Sequence, residues 1–324
     1  MGRRILAGGL ILGELLMVLL VVAIGFLTLG GNTETSPPPM TLTVFTGSVT
    51  IQRAGGKAVV AGRSGDGLNS GDTVATGVTG RALITYPDGS VTRLDLATTV
   101  RVSARRARGG AVLTSFQQSA GLTWNKVQRL VGLSSFKVSG PNSATAEVRG
   151  TVFGFYVEHD PSGAPVIWID TWSGSVLVGG SGGSVLAGTG QRVTVPAGGR
   201  PTAPAPIPAG DRQLSFTVFN QTLDAVTGTP IAFQDGFLST GASTRVFEVV
   251  ADGTSDLQFV LGWPGSLYEL TVLDPAGRVF AKPASTVAPI SVVVPRALAG
   301  TWTYSVRDVQ SAPLETFWVM VGRT

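Results

Sequence analysis

Residues 144–158, ATAEVRGTVFGFYVE, decide how this chain is read. Ala144, Ala146 and Val148 alternate with Thr145, Glu147 and Arg149. After Gly150, the residues Val152, Phe153, Phe155, Tyr156 and Val157 are almost continuously apolar. Period-two alternation is the mark of a half-buried strand, and an unbroken apolar run marks one buried on both faces. Glycine inside such a stretch marks a bulge or a close backbone approach, so Gly150 is expected to bend the strand. Arg149 is expected to form an ion pair with Glu147 or Glu158.

Outward from this stretch the same language continues. A turn at Pro87, Asp88 and Gly89 joins strands at 81–86 and 90–96, because Pro presets one turn dihedral and Gly accepts positive φ. Further strands are expected at 41–53, 72–76, 99–104, 111–116, 134–139, 166–171, 175–178 and 191–195. A second set falls at 214–219, 243–250, 256–261, 268–273, 290–294, 300–308 and 317–321. The 324 residues include 44 Gly and are 43% hydrophobic but only 14% charged. This composition and strand density predict an all-β ectodomain of two β-sandwich or jelly-roll-like domains. The absence of cysteine excludes disulfides, thiolate metal sites and a thiol nucleophile.

At the amino terminus Arg3 and Arg4 precede an apolar run that starts at Ile5 and ends at Gly31, interrupted by Glu14. About 20 apolar residues suffice to cross a bilayer as a helix. The run exceeds the roughly 7 to 15 residues of a signal-peptide core, so an uncleaved single-pass anchor is expected. Cations before the span and none after it until Arg53 place the N-terminus in the cytoplasm and the remainder outside, in the periplasm or at the cell exterior. Gly9 and Gly13 form a G-x-x-x-G pair through which two such helices could dimerise. A Pro-rich spacer at 32–40 leads to a first domain at 41–195. A Pro/Gly linker at 196–210 then leads to a C-terminal β-sandwich domain at 211–324.

Four segments in order, GDTVATGVTGRALITYPDGSVTRLDLATTVRV (71–102), AEVRGTVFGFYVE (146–158), WSGSVLVGG (172–180) and AGTGQRVTV (187–195), resemble the FecR-type domain of bacterial envelope proteins. The resemblance implies a small all-β domain beyond the inner membrane. The best-known members relay a surface iron signal to a sigma factor through a cytoplasmic segment. Here residues 1–4 alone precede the apolar run, so direct anti-sigma activity is not expected and a signal would pass through a partner. The segments DLQFVLGWPGSLYELTVLDPAGRVF (256–280) and VPRALAGTWTYSVRD (294–308) resemble the pre-peptidase C-terminal jelly-roll type, which implies an accessory or binding role.

Charge divides unevenly. Residues 41–208 hold 15 Lys and Arg against 8 Asp and Glu, whereas 209–324 hold 7 against 10. Arg101, Arg105, Arg106 and Arg108 concentrate part of the excess in one strand and turn, a patch suited to an anionic envelope polymer, a phospholipid headgroup or the acidic second domain. Nucleic acid is not expected, because no aromatic stripe interleaves these arginines. Trp168 and Trp172, four apart on one strand face, are candidates for ligand contact or interdomain packing. Asp252 and Asp256 are calcium-loop candidates. His159, the only histidine, lies in a turn, so no catalytic residue, no cofactor and no enzyme activity are expected. The sequence thus supports a non-catalytic interaction or sensory-relay module with an envelope protein partner, with an envelope-polymer or carbohydrate-binding protein as the alternative.

Overall fold

The computed structural model describes residues 40–56, 58–106, 110–130, 132–213, 215–238, 243–310 and 315–324. The apolar run with Gly9, Gly13 and Glu14, the spacer up to residue 39, and Arg108 lie outside the described residues. Among the described residues no helix is long and apolar enough to cross a membrane.

The first domain is two facing β-layers. In spatial order layer one is β4 (Gly67–Leu68), β1 (Met40–Thr46), β6 (Arg81–Thr85), β7 (Val91–Leu94), the second half of β9 (Val112–Lys126), β12 (Val152–His159), β13 (Pro165–Ser173), β16 (Gln191–Val195) and β17 (Ala205–Pro206). Layer two is β3 (Val59–Ala61), β2 (Val49–Gln52), β5 (Thr73–Thr76), β8 (Thr99–Arg106), the first half of β9, β10 (Ser135–Ser139), β11 (Thr145–Val148), β14 (Ser175–Gly180) and β15 (Gly183–Gly188). All of these pairings are antiparallel except that of β9 with β10. Inward residues of both layers share one core, where Phe136 of layer two meets Phe153 of layer one at 6.5 Å between ring centres.

One strand belongs to both layers. The first part of β9 lies between β8 and β10, and residues 121–126 lie beside β12, with 123–126 also beside β7. The chain changes layer at Gly121, whose φ is +81°. A Cβ there would stand 2.6 Å from the Thr98 Cα, so the backbone fits only without a side chain. The polar groups of the crossing are satisfied internally, as buried ones must be. Buried Gln118 donates through Nε2 to the Gly121 carbonyl (2.6 Å) and the Phe155 carbonyl (3.1 Å), and accepts the Thr123 hydroxyl (2.8 Å). The Leu122 amide donates to Thr98 Oγ1 (3.0 Å).

Residues 144–158 form two strands in different layers. Ala146 and Val148 bury one face of β11 in layer two, Gly150 turns the chain at φ +93°, and β12 continues in layer one. The pair expected for Arg149 is not formed. Its Nη1 donates to the Gly132 carbonyl (3.2 Å), and Glu147 is held by Lys137 (2.6 Å), its direct cross-strand partner. Residues 196–210 are laid back along the first domain. The Thr202 amide donates to the Thr194 carbonyl, the Ile207 amide donates to the Gly190 carbonyl, and Ile207 is buried.

The C-terminal domain is a β-sandwich. One sheet orders β18 (Thr229–Leu238), β26 (Glu315–Arg323), β20 (Leu257–Gly262) and β24 (Ile290–Val294). The other orders β19 (Thr244–Ala251), β25 (Gly300–Asp308) and β21 (Tyr268–Leu273), with β22 (Val279–Ala281) and β23 (Ala284–Ser285) on the far edge of β21. Phe259 and Tyr304 meet across its core at 5.3 Å.

The strand expected at 214–219 is instead part of a helix, α1 (Ser215–Ala225). Phe216 and Val218 mimic strand alternation, but Phe216, Phe219 and Leu223 recur at helical spacing and join one apolar cluster. Val218 and Thr222 occupy another face, against Gly262 of β20, where a Cβ would lie only 3.3 Å from the Val218 side chain. The helix is therefore buried on both sides, between layer one and the first sheet of the sandwich.

Gly121→Ala is expected to lower unfolding stability in urea by at least about 2 kcal/mol, from strain plus the clash with Thr98. Gly163→Ala, at φ +84° with open space around it, should cost about 1 kcal/mol. Equal losses at the two sites would contradict the crossing described here.

Candidate binding surfaces

The outer face of layer one carries a row of cross-strand neighbours: Arg93, Trp124, Gly154, Asp170 and Arg192, on β7, β9, β12, β13 and β16. Helix α1 lies over this row and charge pairs hold both ends. Near its start Asp211 pairs with Arg192, which also grips Asp170 through two bonds of 2.6 and 2.7 Å. Near its end Asp224 pairs with Arg93 (2.8 Å) and Lys126 (3.3 Å) and accepts the Trp124 indole N–H (3.1 Å). Burial opposes the charge on Arg192, but bonds to Asp170 and Asp211 outweigh it and push its pKa above the ordinary arginine value. Arg81 pairs with Asp95 (2.7 Å) and stands 5.1 Å from the Phe219 ring centre. Burial pushes the Asp95 carboxyl up, against the pull of Arg81.

Trp168 and Trp172 belong to this joint. Arg192 covers the Trp168 ring at 4.9 Å, and Trp172 stacks on Trp124 at 5.4 Å, both tryptophans being half-buried in the cluster that contains Phe219 and Trp318. Their faces are thus occupied by the protein itself. Layer one, helix and sandwich form a continuous stack, which leaves the outer face of layer two open.

On that open face β8 presents Arg101, Ser103 and Arg105 outward while Val100, Val102 and Ala104 enter the core. Arg106 is exposed at the strand's end. Among the described residues no carboxylate pairs with Arg101, Arg105 or Arg106. Arg101 donates through Nε to the Gly71 carbonyl (3.2 Å) and stands between two shallow concavities of about 300 and 210 Å³. The larger is lined by Gly71, Arg101, Ser103, Ser115, Gln117 and Ser139, among others. In the smaller, Arg53 is neutralised by Asp72 (2.7 Å). Burial would raise the Asp72 pKa, but the Asn69 and Ala54 amides together with Arg53 hold it below the usual carboxylate range. At the other end of layer two, Leu177 and Leu186 face each other across β14 and β15, 42% and 63% exposed.

Asp252 and Asp256 are engaged in local structure. Asp252 accepts the Thr254 amide (2.8 Å) and the Ser255 amide (3.2 Å) and pairs with Arg323 (3.3 Å), while Asp256 accepts the Arg296 amide (2.7 Å). Among the described residues no group of three or more His, Asp or Glu is placed to hold a metal ion. His159 is exposed at the end of β12. The residues that sequence reasoning missed are Arg93, Arg192, Asp211 and Asp224. The spacing of Phe216, Phe219 and Leu223 was the available signal for the helix that aligns them.

Residues 72–177 match the FecR protein family. The match lies within the first domain and includes β8, the crossing strand β9 and the segment 144–158. No curated protein matches the chain. Among solved structures, two crystal structures of a candidate anti-sigma factor from Parabacteroides distasonis ATCC 8503 are similar at 17% identity. Both cover 50% of this chain and 67% of that one, with TM-scores of 0.36 and 0.34. An exo-beta-1,3-galactanase from Phanerochaete chrysosporium covers 74% of this chain and 78% of its own at 8% identity and a TM-score of 0.22. Likeness at this level carries no functional argument. The match to FecR concerns the first domain alone.

Asp224→Ala should lower stability by about 3 kcal/mol, because it strands the nine-tenths buried Arg93 guanidinium. Glu147→Ala, which breaks a half-exposed pair, should cost no more than about 1 kcal/mol. Urea unfolding of both variants checks the contrast.

Proposed function

We propose that this chain is a membrane-anchored, non-catalytic interaction module of the FecR type, which relays an envelope signal to a protein partner. The observation that carries the reading is the asymmetry of the first domain. One of its layers is covered by α1 and the sandwich, while the other is open, cationic at β8 and apolar at Leu177 and Leu186. The FecR match over 72–177 supports a sensory role for the domain bearing that open layer. Arg3 and Arg4 ahead of the apolar run from Ile5 support an inner-membrane anchor with the two domains outside. Paired exposed leucines suit a protein partner, since apolar surface at the centre of an interface supplies most of its stabilisation. The C-terminal sandwich, with its resemblance to the pre-peptidase C-terminal type, serves as the accessory domain that braces layer one.

A photoreactive residue placed at Leu186 in the full chain, in native membranes, should give one discrete adduct with an envelope protein. The same probe at Val250, exposed on the sandwich, should give none. No adduct from Leu186, or equal adducts from both positions, would overturn the relay.

A further inference from the structure

We infer that the trough at Arg101 is a binding site for an acidic polysaccharide, a hydroxyl-rich chain bearing carboxylates. This rests on the reading of layer two as the ligand-facing surface. Across three strands Arg101, Gln117 and Ser139 are register neighbours, and beside them Ser103 faces Ser115. Together they offer one guanidinium, one amide and three hydroxyls above a floor closed by the buried Val102 and Phe116. A planar guanidinium forms two parallel bonds with a carboxylate, and hydroxyl and amide groups exchange hydrogen bonds with sugar hydroxyls. At about 300 Å³ the trough is at the small end of ligand sites and is open along its length, which fits a segment of a chain.

Other anions fit less well. Among the described residues the next cation, Arg53, is neutralised by Asp72, and Lys137 is paired with Glu147, so neither brings a second free charge onto Arg101 to match a phosphate dianion. Among the described residues no aromatic ring is exposed in the trough for a nucleobase to stack on. Arg105 lies four residues along the same strand face, about 13 Å from Arg101 at the rise of an extended strand. That separation serves two carboxylates some residues apart on one polymer and is out of reach of a single sugar acid.

The test is calorimetric titration of the full chain in detergent with oligogalacturonate, galacturonic acid monomer, the methyl-esterified oligomer and a neutral cello-oligosaccharide. The acidic oligomer should bind, and Arg101→Gln should weaken it by about tenfold or more, the loss of one charge-assisted bidentate pair. Arg101→Lys, which keeps the charge without the fork, should fall between the two. Arg105→Gln should weaken the oligomer and leave the monomer unchanged. Equal binding of the esterified oligomer, no effect of Arg101→Gln in a variant whose circular dichroism is native, or competition by sulfate as strong as by the oligomer would each overturn the site. Sugar binding without an adduct at Leu186 would remove the relay and keep the site. An adduct without sugar binding would remove only the site.

Discussion

Helix α1 is held by both domains at once: Phe219 meets Phe45 of layer one at 6.1 Å and Phe233 and Trp318 of the sandwich at 6.1 and 5.8 Å, while Val218 and Thr222 rest on Gly262 of the sandwich. An isolated helix of this length is marginal in water, so its stability derives from the two surfaces it fills. Those surfaces in turn depend on it. Without α1 the row from Arg93 to Arg192 would expose Trp124 and Tyr156, and the first sandwich sheet would expose Val260 and Trp318. Burying Phe219 alone contributes about 2 to 3 kcal/mol. Asp211 and Asp224 add direction: each reaches a different arginine of layer one, which fixes where each end of the helix lies.

This arrangement assigns roles to surfaces. The covered layer contains most of the buried charge and both half-buried tryptophans of β13, and its Arg81, Arg93, Asp170 and Arg192 are paired within the chain. The open layer keeps arginines that nothing among the described residues neutralises. In a water-exposed position an unpaired arginine costs little, and it is available to an anionic ligand without breaking a native pair. The Gly121 crossing links the two layers, because the same strand carries Gln117 on the open face and Trp124 on the covered one.

Much of the first domain was legible in its residues. Val100, Val102 and Ala104 alternate with Thr99, Arg101 and Ser103, and no helix accommodates that period, so β8 and its outward arginines followed directly. The segment around Gly150 was legible as strand on both sides, but alternation within a strand does not say which layer each half joins. The second half of β9 was hidden for a related reason: Leu122 and Trp124 point outward yet are apolar, since another element covers them. Helix α1 has the sequence look of a strand because apolar residues at 216 and 218 satisfy a period of two over a short window, while the helical recurrence needs Leu223 to show itself. Charge pairing was the least legible. Arg149 sits beside two carboxylates in sequence and binds neither, whereas Arg93 finds Asp224 across 131 positions.

Hydrogen exchange measured residue by residue on the full chain tests the central claim, that α1 is a shared core element of both domains. The α1 amides after the first turn are expected to exchange as slowly as those of β12 and β20, at least about a thousandfold below unstructured rates. Exchange of α1 at the rate of a free peptide, with β12 and β20 still protected, would contradict that claim.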